Sequence, residues 1–249
     1  MTIAQWDEVI YLASDRALGL MELKQDLIFH KILRESYGNY IDGALRTGEE
    51  AARVVLPIAM TGAKAKAAAE KGARTTCGGP LSHDGLCALA GRLEARVLLV
   101  EKPNVLAGVV TRAEYCSGQR TITIYRKSIA QVKACLDRAW PELGWTEEGI
   151  AAIHLAHELF HHLEATWIGL TNEKFPKVLT FQLGPWKTLT SVRRLREIAA
   201  HKFTKELLKL PFLPNLIDYL ILVGQGKLKE AELINGLRAA SEELKRETF

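Results

Sequence analysis

Cysteine is scarce in this chain. Four residues, Cys77, Cys87, Cys116 and Cys135, occur in 249, and none has CxxC spacing. They are expected to be free thiols in a reducing compartment. Long apolar runs are also lacking. Leu216 to Val223 is among the longest, is interrupted by Asp218 and Tyr219, and falls far short of the ~20 residues a membrane span needs. The first ten residues, MTIAQWDEVI, carry acids early and show no basic-then-apolar leader pattern. No repeat or low-complexity tract is visible. An excess of one charge is missing too. Lys and Arg number 33 against 29 Asp and Glu, for a net charge of +4, which is too little to argue for nucleic acid. The arginines at 193, 194 and 196 sit beside Glu197 and are expected on an ordinary solvated face. These absences lead to the expectation of a soluble, cytoplasmic protein with no membrane or nucleic-acid partner.

What remains is ordinary globular composition. The chain is 48% hydrophobic and 25% charged, with a mean hydropathy near zero, which excludes disorder. The length allows one large domain or two small ones. Residues 1–76 are expected as a helical region. Leu20, Leu23, Leu27, Ile28 and Ile32 recur at helical spacing. A second helix is expected from about Glu49 to Met60, kinked or ended by Pro57. The run Ala63 to Ala73 suits a solvated helix passing into a linker, and Cys77 to Pro80, CGGP, breaks the chain. That break sets the expected boundary between residues 1–76 and 77–249.

Beyond it, Asp84 is expected to cap a helix through Leu93. Ala95 to Glu101 and Val105 to Tyr115 have strand character, and Arg120 to Arg126, RTITIYR, alternates cleanly. Ile122 and Ile124 share one face of it. Short turns between these runs predict a small three-stranded antiparallel sheet. From Ser128 onward the pattern is helical almost to the end. The fold class is therefore α+β, mostly helical.

The chemistry concentrates in Ile153 to Glu164, IHLAHELFHHLE, which contains HExxH at His157, Glu158 and His161. On a helix, positions i and i+4 lie one turn apart on one face, so both imidazoles reach one metal ion. Glu158 projects about 100° away, beside the ion and not into it, which suits a general base acting on water. Ala152, Leu155, Leu159 and Phe160 make the other side of the helix apolar. His154 is placed to support the site from behind, and His162 to lie on the helix surface or serve as a hydrogen-bond partner.

An open tetrahedral site needs a third protein ligand. Ala165, Thr166 and Trp167 follow the motif, so the third histidine of HExxHxxGxxH is absent. Glu164 and Glu173 are near in sequence. Glu197 is the better candidate, because Val192 to Leu210 is strongly amphipathic and can lie antiparallel to the HExxH helix. His201 shares its face at i+4, as an alternative ligand or a transition-state donor. Tyr125 is a second candidate donor, and the strand Thr121 to Tyr125 a candidate edge for an extended substrate. A dinuclear carboxylate oxidase would need two Glu-x-x-His motifs, and only Glu158 to His161 forms one.

These residues give the chain a resemblance to the ImmA/IrrE-type zinc metallopeptidases. It rests on HExxH at His157 to His161, followed by E-x-x-A-x-x-F-x-x-x-L-L at Glu197, Ala200, Phe203, Leu207 and Leu208. It covers roughly residues 83 to 211. The resemblance implies a zincin-like domain, zinc as cofactor, and Glu197 as the third ligand beside His157 and His161. It also implies peptide-bond hydrolysis in a regulatory protein, with a transcriptional repressor among the candidate substrates. Phe160 stands where the family often has glycine, and residues 1–75 show no helix-turn-helix. The rival expectation is a non-catalytic metal-binding regulatory protein, against which Glu158 argues, since a purely structural site has no need of it.

Overall fold

The computed structural model describes residues 3–63, 81–106 and 109–246. The main elements are α1 (Ile3–Leu12), α2 (Asp15–Leu23), α3 (Tyr37–Ala63), α4 (His83–Arg92), β1 (Arg96–Val100), β2 (Asn104–Leu106), β3 (Val109–Thr111), β4 (Ala113–Cys116) and β5 (Thr121–Tyr125). Then come α5 (Arg126–Ala139), α6 (Glu147–Leu163), β6 (Val178–Leu183), β7 (Trp186–Thr190), α7 (Arg194–Leu208), α8 (Leu216–Gly224) and α9 (Glu230–Lys245). The protein is mostly helical. None of the helices is long and apolar enough to cross a membrane among the described residues, and Cys87, Cys116 and Cys135 are free thiols.

The three-stranded sheet is mixed, which corrects the antiparallel expectation. Its order is β1-β5-β4. β4 and β5 are antiparallel, but β1 runs parallel to β5, with Val97 opposite Ile122 and Leu99 opposite Ile124. The intervening chain forms the separate β2–β3 hairpin, so β5 enters the sheet in the same direction as β1. The alternation of RTITIYR is realised: Ile122 and Ile124 are fully buried. However, β5 is central, paired on both sides, and cannot be the free edge for a substrate.

Several local expectations shift for identifiable reasons. α2 ends at Leu23, and Leu27 is 89% exposed, so the helical spacing through Ile32 is broken by turns. α3 starts at Tyr37 and passes through Pro57 without ending there. Ser82 caps α4, accepting from the Gly85 amide at 3.2 Å, while Asp84 sits in the first turn. The expected solvated helix, the CGGP break and the boundary at residues 76 and 77 fall on residues 64–80, outside the described ones.

The helices before that segment pack directly on those after it. Val55, Leu18 and Ile41 share one buried cluster with Leu159, Leu195 and Phe203. Gly48 of α3 lies flush against α7: a Cβ there would stand 2.2 Å from the Ala199 carbonyl oxygen. Only glycine permits this backbone approach, and it fixes the height of α7 beneath the site. Asp26, in the turn after α2, accepts from the Arg194 amide at 2.9 Å. It thereby satisfies an orphan donor at the N-terminus of α7 and complements its dipole.

Candidate metal centre

Two helices build the site. α6 is capped at its start by Thr146, which accepts from the Gly149 amide at 3.0 Å, and Glu147 and Glu148 occupy its first turn. Leu155, Ala156, Leu159 and Phe160 are buried, and α6 packs on α7. Phe160 lies fully buried with its ring 5.5 Å from that of Phe203. The aromatic pair therefore belongs to the helix–helix contact. The same contact sets His157 and His161 of α6 against Glu197 of α7.

His157, His161 and Glu197 form a group able to hold a metal ion. His157 Nε2 lies 3.1 Å from Glu197 Oε2 and 3.2 Å from His161 Nε2. His161 Nε2 lies 3.6 Å from Glu197 Oε1. A tetrahedral ion with N and O ligands at about 2.0–2.1 Å separates its donors by about 3.3 Å. The spacing of the two imidazole nitrogens is close to that edge, and each nitrogen faces one oxygen of the Glu197 carboxylate, so the donor set fits such an ion in number and chemistry.

The electrostatics point the same way. Burial lowers the His161 pKa, but hydrogen bonds to Glu164 and Glu197 outweigh it and push the value up to about 10. Burial raises the Glu197 carboxyl, yet hydrogen bonds to His157 and His161 hold it far below the usual carboxylate range. The pocket thus favours positive charge between its carboxylates, as a proton or as a metal ion.

Behind His161 stands Glu164, which the sequence alone suggested only as a nearby acid. It opens a single π turn, Glu164–Ile168, and is 2% exposed. Three residues past His161 on the same helix face, its carboxylate lies 2.9 Å from His161 Nδ1. The Thr171 amide donates to its other oxygen at 2.9 Å, and Arg196 Nε donates at 2.9 Å. Burial raises the Glu164 pKa, and the hydrogen bonds to His161 and Thr171 reverse the effect and hold it below the usual carboxylate value. An ionised Glu164 draws the imidazole proton to Nδ1 and leaves the Nε2 lone pair for a cation. We expect Glu164→Gln to fold and to weaken metal binding by about 10- to 100-fold. Competition with a chromogenic chelator measures this, and an unchanged affinity would show that Glu164 does not orient His161.

Glu158, half-buried, lines two cavities that meet at the centre. One, of about 750 Å³, also includes His154, His157, Glu197 and His201. The other, of about 440 Å³, includes Tyr115, His161, Leu170, Arg196 and Glu197. Thr111 to Ala113, leading into β4, line the larger cavity, and Tyr115 on β4 lines the smaller.

His201 lies on α7 one turn beyond Glu197, outside the donor triangle. Its ring packs 4.8 Å from that of His157, and its Nδ1 is buried without a partner among the described residues. Burial and the neighbouring His157 lower its pKa to about 3, so it is a neutral imidazole in the cavity wall. His154 is similar: burial lowers its pKa to about 3, and its Nε2 is unpartnered among the described residues. His162 is not a surface residue. Its Nε2 donates to the Leu93 carbonyl at 2.6 Å, so Nδ1 accepts from the Tyr115 hydroxyl at 3.0 Å. This ties α6 to β4. Tyr125 is on the opposite face of β5 from the buried Ile122 and Ile124, and its hydroxyl meets Glu114 at 2.5 Å. It is not at the site. Glu173 pairs with Lys177 at 2.9 Å on the surface and is no ligand.

The arginines are not simply solvated. Arg194 pairs with buried Glu22 of α2 at 2.8 Å, and Arg196 with Glu164. Burial raises the Glu22 pKa, only partly offset by Arg194. Asp218 of α8 pairs with Arg112, which keeps its pKa low despite burial. Both ion pairs line the larger cavity. Glu22, Tyr115 and Asp218 were invisible in the sequence because their partners are remote in the chain. No protein-family model, curated protein or solved structure matches this chain.

Proposed function

We propose that this protein is a zinc metallopeptidase, a hydrolase that cuts a peptide bond in a regulatory protein. The observation that carries the reading is the convergence of His157, His161 and Glu197 with donor spacings of 3.1, 3.2 and 3.6 Å, beside a carboxylate, Glu158, that serves no ligand role. A bound zinc ion supplies Lewis acidity, polarising a carbonyl and acidifying water near neutral pH. His157, His161 and Glu197 would hold it, and Glu164 would fix the His161 tautomer.

The remaining work falls to the protein. Glu158, at the junction of the two cavities, takes a proton from the attacking water and returns it to the leaving amine. His201 is the candidate donor to the developing oxyanion, as a neutral imidazole on the cavity wall. β4 has a strand on one side only among the described residues, and its neighbourhood lines both cavities. Its free edge is suited to hold an extended peptide by main-chain hydrogen bonds, the role the sequence assigned to β5. The ImmA/IrrE pattern, HExxH with Glu197, Ala200, Phe203, Leu207 and Leu208, supports the same reading and favours a repressor-type substrate.

Two measurements on the purified protein test this. Metal analysis is expected to find about one zinc per chain, and chelation to lower the thermal midpoint while leaving the protein folded, since the ion binds only the native state. A lysate incubated with zinc-loaded protein is expected to show new chain ends that are absent with chelator. An identical melting curve with and without chelator would remove the metal. Zinc without any cleaved protein would favour the non-catalytic reading.

A further inference from the structure

The segment between the two metal-binding helices carries a feature the metal centre does not use. β6 and β7 form a two-stranded antiparallel hairpin. They are joined at Gly184 and Pro185, with Gly184 at φ +56°, as a two-residue turn with glycine first requires. Every residue from 181 to 189 is exposed. Yet the exposed side chains are large and apolar: Phe181 at 57%, Leu183 at 68%, Trp186 at 77% and Leu189 at 58%. An isolated hairpin of this kind is marginal in water, so something is expected to cover it.

The register shows what kind of cover fits. Leu183 pairs with Trp186, and Phe181 with Thr188, so Phe181, Leu183 and Trp186 share one face. A bulge between Leu179 and Phe181 shifts the register, and Leu179 pairs with Leu189 on the other face. Apolar groups therefore project from both faces of a thin ribbon. A folded partner covers one face of a ribbon, whereas a lipid interface surrounds both. The charges agree. No acidic residue occurs between Glu173 and Glu197, while Lys174, Lys177, Lys187, Arg193, Arg194 and Arg196 do. Three of these are neutralised, Lys177 by Glu173, Arg194 by Glu22 and Arg196 by Glu164. Lys174, Lys187 and Arg193 have no acidic partner within ion-pair distance among the described residues, and Lys187 follows Trp186 directly.

We propose that the Leu183–Trp186 tip of this hairpin inserts into the headgroup region of an anionic lipid surface, anchoring the protein peripherally. Trp186 has the amphipathic ring that favours the membrane–water boundary. Pro185 brings no amide N–H to desolvate at the tip. Among the described residues no further strand pairs with β6 or β7, so their outer edges limit insertion to the interface and exclude the hydrocarbon centre. Lys187 and its neighbours add attraction to negative headgroups. Such an anchor needs no spanning helix, so the lack of a long apolar run does not bear on it. The proposal stands independently of what the metal centre hydrolyses.

Flotation of the full metal-loaded chain with vesicles tests it. Binding is expected on phosphatidylcholine vesicles containing phosphatidylglycerol, and weaker binding on phosphatidylcholine alone. Leu183→Ser with Trp186→Ser is expected to lower the partition coefficient at least about tenfold, with metal content and thermal midpoint unchanged. Lys187→Glu, which touches no packing, is expected to lower it about fivefold or more on the anionic vesicles only. Brominated lipid is expected to quench wild-type tryptophan fluorescence more than that of Trp186→Phe, a readout that does not depend on weakened binding. No binding to either vesicle overturns the proposal, as does binding that the tip substitutions leave unchanged. Equal binding to both compositions overturns the anionic assignment. Self-association that the tip substitutions abolish, with no vesicle binding, would make the hairpin an interface between copies of this chain.

Discussion

Glu158→Gln is expected to retain zinc and fold and to lose hydrolysis by about 10²- to 10⁴-fold. The substitution exchanges one carboxylate oxygen for an amide nitrogen at nearly constant volume. Glu158 is half-buried at the junction of the two cavities and outside the donor group of His157, His161 and Glu197, so neither packing nor ligation should respond. What is lost is the ability to accept a proton. The amide still accepts a hydrogen bond and can hold a water in place, so binding of a peptide should change little and the loss should appear in kcat. Zinc content, thermal midpoint and the rate of cleavage of a lysate-derived substrate measure the three parts separately. An unchanged rate would remove Glu158 as the base and the proposed mechanism with it. Loss of zinc in this variant would instead make Glu158 a ligand and require a different geometry at α6.

The centre was legible because its parts are local. HExxH needs only a helix to bring His157 and His161 together, and Glu197 needs only one helix packed beside it. The amphipathic pattern of Val192 to Leu210 announced that neighbour. What escaped the sequence depends on geometry that periodicity does not encode. Glu164 lies at i+3 from His161, a spacing that the sequence does show, but its burial under the Thr171 amide and Arg196 depends on partners that periodicity does not place. The parallel pairing of β1 with β5 depends on where the chain goes between them, which strand alternation alone does not reveal. The β6–β7 hairpin did have a signal: alternating VLTFQL and WKTLT flank Gly184 and Pro185. The helical patterns on either side of it are longer and mask it. Conversely, the long-range ties from Glu22 and Asp26 to Arg194 left no local trace. They give the N-terminal helices a place at the site that reading residues 1–76 as a separate helical region does not capture.

The assignment of the third ligand separates Glu197 from His201, and the two variants should differ sharply. Both residues sit on one face of α7, a turn apart, and both line the larger cavity. Only Glu197 has an oxygen within 3.1 Å of His157 Nε2 and another 3.6 Å from His161 Nε2. His201 instead packs its ring against His157. A carboxylate third ligand also lowers the net charge of the site, which three neutral imidazoles would leave undiminished. Glu197→Ala is therefore expected to lose most of its zinc, because two histidines alone make a weak site, and to lose activity with it. His201→Ala is expected to keep zinc near one per chain. If His201 donates to the oxyanion, its loss should cost about 10²- to 10³-fold in rate, the scale of one such donor. Added zinc should restore nothing, because the ion is already bound. Glu197→Ala should by contrast recover some activity as zinc is raised. Zinc content of the two purified variants, followed by a zinc titration of their rates, decides the matter. An emptied site in His201→Ala alongside a full one in Glu197→Ala would transfer the ligand role to the imidazole. It would also remove the correspondence with the ImmA/IrrE pattern on which the repressor-type substrate rests.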